Sequence, residues 1–506
     1  MTLKKLILAI GAATFMSPAF ALVPTTVSNA LPDSATPDIE VNIAGASASD
    51  PSIESLIVNQ LCDAGTIDTF RDNGANPGAA FRAFFCRMTG VSGIPDGSAV
   101  LIRKRSAGGS AQGVGPVCDN QTQAFMKLQA TCTETAPGSG EWRCPNTASD
   151  QEQLEAEIGI SDVGPAEVQA SASANCGAPG GSFALVFGMP VTKKLRDALQ
   201  VAQGLVSGSE LPENMPSLSY DQVRSLFTGR INTWDDFKVN GVALTAVPGV
   251  VAPTGTNPNR VSICRRVDTS GTFASYALHL LGRTCLGGSA LPHAPQNNLG
   301  GNPAVVLNSG SGNIETCLDT LNDTGTIATQ SGITVGAGAT FSTWAIGMQS
   351  TDFGAPVAGV YPFDYRHIRL GGVIPSIDNA AAGTYSFVMV STIQQSTTFP
   401  PSAVSTTIYN ALLAAVTPAN ISAANRAHEW GVGGALALAT NGFQIDPDGN
   451  NEFDPANPVW PYIRSSSGAA PFAINNCVGP YLVPGAIGGG GETQLGPNRD
   501  ALLIGE

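Results

Sequence analysis

Charge is sparse in this chain. Only 13% of its 506 residues are Asp, Glu, Lys or Arg, and acids outnumber bases to leave a formal charge of −14. No basic excess exists to neutralise a nucleic acid or an anionic bilayer, so neither is expected as a partner. Histidine is scarcer still: His279, His293, His367 and His428 stand singly, and no Cys-x-x-Cys occurs. No metal site and no cofactor are expected on that basis. A Gly-x-Ser-x-Gly elbow is missing, and the glycines at 488–491 are not followed by Lys-Ser/Thr, which disfavours a serine hydrolase and a P-loop. Beyond the N-terminus, no apolar run approaches the roughly 20 residues of a membrane span, so no membrane insertion is expected.

What is present begins with a secretory leader. Met1-Thr2-Leu3-Lys4-Lys5 precedes an apolar run from Leu6 to Met16 and the small-x-small triplet Ala19-Phe20-Ala21. Cleavage is expected after Ala21, removing residues 1–21 and placing the protein in the periplasm or outside the cell. Its formal charge becomes −16 once Lys4 and Lys5 leave with the leader. An even count of ten cysteines in an exported chain favours disulfides over metal. Cys62/Cys86, Cys132/Cys144 and Cys264/Cys285 are spaced as local staples; Cys118, Cys176, Cys317 and Cys477 remain unassigned.

The most informative stretch is Arg265-Arg266-Val267-Asp268-Thr269-Ser270-Gly271-Thr272-Phe273. It follows a short apolar run ending in Ile263-Cys264 and precedes a segment with helical spacing, which reads as strand, tight turn, helix start. Such a turn presents backbone N–H groups, hydroxyls and the positive end of a helix dipole to one point, and an adjacent arginine adds a fork suited to oxyanions. The pattern of strand followed by small-residue loop recurs at residues 39–50, 99–114 and 158–164. Four such loops imply an α/β protein whose strand ends gather at one cleft. The unalternating apolar run Phe183-Ala184-Leu185-Val186-Phe187-Gly188-Met189-Pro190-Val191 predicts a doubly buried strand crossing into a second lobe, and Thr384-Tyr385-Ser386-Phe387-Val388-Met389-Val390 predicts the return.

Lobe 1 is expected over residues 38–186 plus 386–430, with Cys-rich insertions at 62–98 and 115–157, the latter carrying a helical patch at 121–128. Lobe 2 is expected over 187–385, and 431–506 as an extension packed on the surface. Arg103-Lys104-Arg105 reads equally as a surface cluster or a local positive potential. The acidic stretch 446–454 has the alternation of a calcium-binding turn without a complete ligand set, and is read as a solvated loop.

In sequence order, Gly45-Ala46-Ser47-Ala48-Ser49, Gly109-Ser110-Ala111-Gln112-Gly113-Val114, Ile160-Ser161-Asp162, Leu226-Phe227-Thr228-Gly229-Arg230-Ile231-Asn232-Thr233-Trp234-Asp235-Asp236 and Arg266-Val267-Asp268-Thr269-Ser270-Gly271-Thr272 resemble the phosphate-binding proteins of ABC-type phosphate transporters. The resemblance implies a two-lobed type II periplasmic binding protein fold with a hinge, a ligand cleft between lobes, a monomer, and no catalytic activity. Its implied ligand is inorganic phosphate or a related oxyanion, delivered to the membrane subunits of an ABC transporter. It implies that Ser49 and Ser110 donate to phosphate from lobe 1 while Asp162 accepts the proton phosphate still carries. Arg266, Ser270, Gly271 and Thr272 grip from lobe 2, with Asp268 orienting Arg266. The alternative is a secreted or surface phosphate-scavenging protein on the same fold, without a transporter. Asp50, where the family usually has an aromatic residue, departs from the pattern: a second acid facing the cleft repels an anion.

Overall fold

A computed structural model describes residues 37–483 apart from 73–79, 129–130, 169–173, 255–256, 283–293, 295–297, 328–340, 446–452 and 466–473. The leader, Cys285, most of the acidic stretch and the glycines at 488–491 lie outside the described residues. The architecture is α/β around a large mixed sheet.

The N-terminal half is built on strands β1 (Ile39–Gly45), β2 (Phe81–Met88), β3 (Ser98–Arg105) and β4 (Ile158–Ser161). β1 lies between β3 and β4 and is parallel to both. Val41, Ile43, Val100, Ile102, Ile158 and Ile160 are fully buried, as strands covered on both faces require. β2 runs antiparallel along the whole of β3, so part of the expected insertion at 62–98 belongs to the sheet itself. Residues 121–128, expected as a helical patch, instead contain a strand, Thr122–Met126, paired with Gln151–Glu155. There the ladder and the burial of Phe125 outweigh local helical spacing.

β5 (Gly181–Thr192) joins this half to a second one, formed by β6 (Ser262–Arg266), β7 (Ala304–Asn308), β8 (Ala345–Gly347) and β9 (Tyr365–Leu370). β6 is parallel to β7 and β8. Up to Val186, β5 pairs with β10 (Val388–Gln394) and β11 (Ala435–Leu438). From Met189 onward it pairs with β9. The residues between Phe183 and Phe187 are fully buried, in keeping with their unalternating apolar sequence. The segment beginning at 431, expected as a surface extension, contributes β11 to the sheet interior, and Val459–Trp460 pairs beside it. Ala435-Leu436-Ala437-Leu438 carries the run of a doubly covered strand, and its Gly- and Asn-rich flanks obscure it.

Helices α1 (Asp50–Leu56), α2 (Ser110–Cys118), α3 (Gly271–His279) and α4 (Ser311–Thr324) follow β1, β3, β6 and β7. Disulfides join Cys62–Cys86, Cys118–Cys176, Cys132–Cys144 and Cys264–Cys317. The pairing of Cys264 with Cys285 is thereby corrected. α4 packs on β6, where Ile314, Cys317, Leu318 and Leu321 share one buried cluster with Cys264, so the bond is across the sheet–helix layer rather than local. Closing a loop of this length restricts the unfolded chain, and the double substitution Cys264→Ser/Cys317→Ser is expected to lower stability by about 4 kcal/mol. Urea unfolding of the double variant measures it; an unchanged midpoint contradicts it.

Candidate functional site

Three mutually parallel strands of the first half, β1, β3 and β4, and two of the second, β6 and β7, end at one place, each followed by a loop of small residues. β1 leads to Ser47 and Ser49, β3 to Ser110, β4 to Asp162, β6 to Ser270–Thr272 and β7 to Ser309 and Ser311. Carboxyl ends of parallel strands are where α/β proteins place ligands, because the following helices point their N-termini there. Ser49, Ser110, Asp162, Arg266, Ser270 and Thr272 are all buried to 1% exposure or less.

The two halves meet through these loops. Thr272 Oγ1 donates to Asp162 Oδ2 at 3.3 Å, Ala111 N donates to Thr269 O at 3.0 Å, and Gly108 N donates to Ser309 Oγ at 3.2 Å. A Cβ on Gly271 would lie 2.1 Å from Ser110 Oγ and 2.9 Å from Asp162 Cβ, so no larger residue fits at this approach. Gly109, at φ +73°, would place its Cβ 2.7 Å from Ser270 Cα, which makes glycine necessary there twice over. Gly271→Ala is expected to force the two loops apart and destabilise the protein by about 1–3 kcal/mol, as overpacking of a tight contact does. Urea unfolding of the variant checks this, and an unchanged midpoint contradicts it.

Hydrogen bonding leaves the right groups available. Ser110 Oγ accepts from Asp162 N at 3.1 Å and Ser270 Oγ accepts from Phe273 N at 3.4 Å as the N-cap of α3. Both hydroxyls therefore keep a proton to donate. Ser49 Oγ, Asp162 Oδ1 and Arg266 Nε are buried without hydrogen-bond partners among the described residues. Burial pushes the Asp162 carboxyl up to about 6, against the opposing pull of Arg266. Burial also lowers Arg266 to about 10, with Asp162 and Asp50 restoring part of the loss. At neutral pH the site thus holds a charged guanidinium and a carboxylate poised near its own titration.

Arg266 is oriented differently from expectation. Its Nη1 donates to Thr272 Oγ1 and Ser311 Oγ, both at 3.2 Å, and its Nη2 donates to Ser309 O at 3.0 Å. Asp268 instead pairs with Arg265, whose guanidinium lies 4.1 Å from the centroid of the Phe273 ring. Successive strand residues face opposite sides, so Arg265 and Arg266 diverge and Asp268, half exposed, sits on the outer side. The role of orienting Arg266 passes to the Ser309–Ser311 loop, which sequence reasoning missed. Its signal was available: Ser309-Gly310-Ser311-Gly312 after an apolar run has the make-up of the loops that were recognised. Ser47, the neighbour of Ser49 in the same loop, meets Ser311 across the halves, Oγ to Oγ at 3.2 Å.

Asp50 is buried but not alone. Its Oδ2 lies 2.6 Å from Arg82 Nη1 and its Oδ1 3.0 Å from Lys104 Nζ, and Ser106 Oγ lies 2.8 Å from both oxygens. Lys104 is 2% exposed, so the Arg103-Lys104-Arg105 run is not a surface cluster. Beside the loops, a cleft of about 630 Å³ opens between the halves, lined in part by Arg105, Gln112, Gln123, Asp268 and Thr269. No group of His, Cys, Asp and Glu suited to a metal occurs among the described residues, and no described helix is long and apolar enough to cross a membrane.

No protein-family model matches this chain, and no curated protein matches it. Among solved structures it is similar to a protein assigned as a phosphate ABC transporter substrate-binding protein, with bound phosphate, from Clostridium perfringens, at 12% identity and a TM-score of 0.37, covering 76% of this chain and 97% of that one. It is also similar to an ABC-type phosphate transport receptor from Vibrio cholerae, at 14% identity and a TM-score of 0.31, covering 74% of this chain and 93% of that one. A third is PstS from Borrelia burgdorferi, at 10% identity and a TM-score of 0.31, covering 74% and 92%.

Proposed function

We propose that the chain is an exported solute-binding protein that closes two lobes on inorganic phosphate and delivers it to an ABC transporter, without turning it over. The observation that carries the reading is Asp162: a buried carboxylate with an unpartnered oxygen, set among a buried arginine and hydroxyl donors from both halves. Guanidinium, hydroxyls and the amides of α3 and α4 suit a tetrahedral oxyanion. A carboxylate in their midst suits only an oxyanion that still carries a proton. In this reading Ser49, Ser110 and Ser270 donate through their hydroxyls, Gly271 and Thr272 through the backbone amides of the first turn of α3, and Arg266 is the principal cation. The change of partners along β5 between Val186 and Met189 supports a hinge there, with lobe 1 before it and lobe 2 after it.

The direct test is chemical. Protein purified under native conditions is unfolded and the released anions are separated by ion chromatography. Stoichiometric phosphate is expected; a different oxyanion, or none, contradicts the assignment. Delivery is tested separately by capture of a phosphate transporter's membrane subunits on the immobilised, phosphate-loaded chain, with no capture counting against a transport role.

A further inference from the structure

An anion clamp has no use for Asp50, a buried acid adjacent to Ser49, unless something cancels it. We propose that Lys104 is a positioning residue of the anion site, which neutralises Asp50 and fastens together the two loops that carry Ser49 and Ser110. The inference rests on the reading of the site as an oxyanion clamp.

The ammonium is fully committed. Lys104 Nζ lies 2.9 Å from Ala46 O, 2.8 Å from Ser106 Oγ and 3.0 Å from Asp50 Oδ1, which accounts for its three protons. It therefore acts through its neighbours and does not touch the ligand. Ala46 lies in the loop that carries Ser47 and Ser49, while Ser106 opens the loop that leads to Ser110, and Ser106 Oγ relays the network to Asp50. One side chain at the end of β3 thus sets the spacing of two donor loops.

Charge follows the same route. The groups facing this cluster are Asp50 and Glu54 from α1, Arg82 from β2, with Asp72 beside Arg82, Asp162 beyond β4 and Arg266 from β6. Glu54 is shared between Arg82, at 3.5 Å, and Arg71. Asp50, Lys104 and Arg82 together carry one positive charge; without Lys104, Asp50 keeps only an arginine that Glu54 also claims. A buried carboxylate lacking its partner is costly in itself and repels an incoming anion.

Three variants test this by phosphate titration at neutral pH: Asp50→Asn, Lys104→Met and the double variant. Lys104→Met is expected to weaken binding by about 100-fold, as removal of one member of a buried charge pair does. Adding Asp50→Asn should recover most of that loss, because no unpaired acid remains, whereas a purely structural role for Lys104 predicts a double variant no better than Lys104→Met. Asp50→Asn alone should bind at least as tightly as wild type, and this arm stands even where Lys104→Met fails to fold. Wild-type affinity in Lys104→Met, no recovery in the double variant, or a loss beyond tenfold in Asp50→Asn overturns the proposal. A wild-type chain that binds no phosphate instead removes the clamp reading, and the inference with it.

Discussion

Arg266→Ala is expected to weaken phosphate binding by about three orders of magnitude, at the upper end for a buried charge partner of an oxyanion. The guanidinium is fully buried, tied to Thr272, Ser309 and Ser311, and forms no ion pair within 4 Å among the described residues. In the proposed clamp its charge, not tied up in a close ion pair, is free to face the anion. Arg266→Lys should restore little, since an ammonium cannot hold three oxygens and present a planar fork at once. Isothermal calorimetry reads both variants, and Arg266→Ala within tenfold of wild type contradicts the assigned role.

The second large effect is on selectivity. Asp162→Asn is expected to reduce the preference for phosphate over sulfate at least about 100-fold, because an amide no longer opposes an anion without a proton. The wild-type preference should itself fall as pH drops through about 6, where Asp162 becomes protonated in the unliganded protein and can donate to sulfate. Competition titrations at pH 8 and pH 5 measure both.

Asp162 also carries a stability signature of opposite sense. Its folded value is raised from 3.8 to about 6 by burial, so its favourable contribution is complete below the unfolded value and is lost as pH rises through about 6. Ligand-free Asp162→Asn should therefore be more stable than wild type at pH 8, by on the order of 2 kcal/mol, and no more stable at pH 3. Denaturant unfolding at the two pH values checks the sign.

Much of this was legible in the chain. Apolar patterning, alternating in β1 and continuous in β5 and β6, marks the strands, helical spacing marks α3, and the small-residue loops after strands mark where polar groups converge. Local patterns failed where tertiary pairing decided the outcome. Residues 122–126 became a strand because a partner lay alongside, and β11 was hidden in a Gly-rich tail. Asp268 pairs with Arg265 and not with Arg266, because proximity in sequence does not say which side of a strand a residue faces. Lys104 and Asp50 are 54 positions apart in number, and only the parallel pairing of β1 with β3, which sets Ala44 beside Arg105, brings the two loops together. No composition or motif encodes that register.

The most direct measurement is calorimetry on protein stripped of bound anion by unfolding and refolding, titrated at pH 8 with phosphate and, separately, with sulfate. A clamp built around a buried carboxylate predicts tight phosphate binding, with sulfate weaker by about a thousandfold or more. No heat with phosphate, or equal affinity for the two anions, contradicts it.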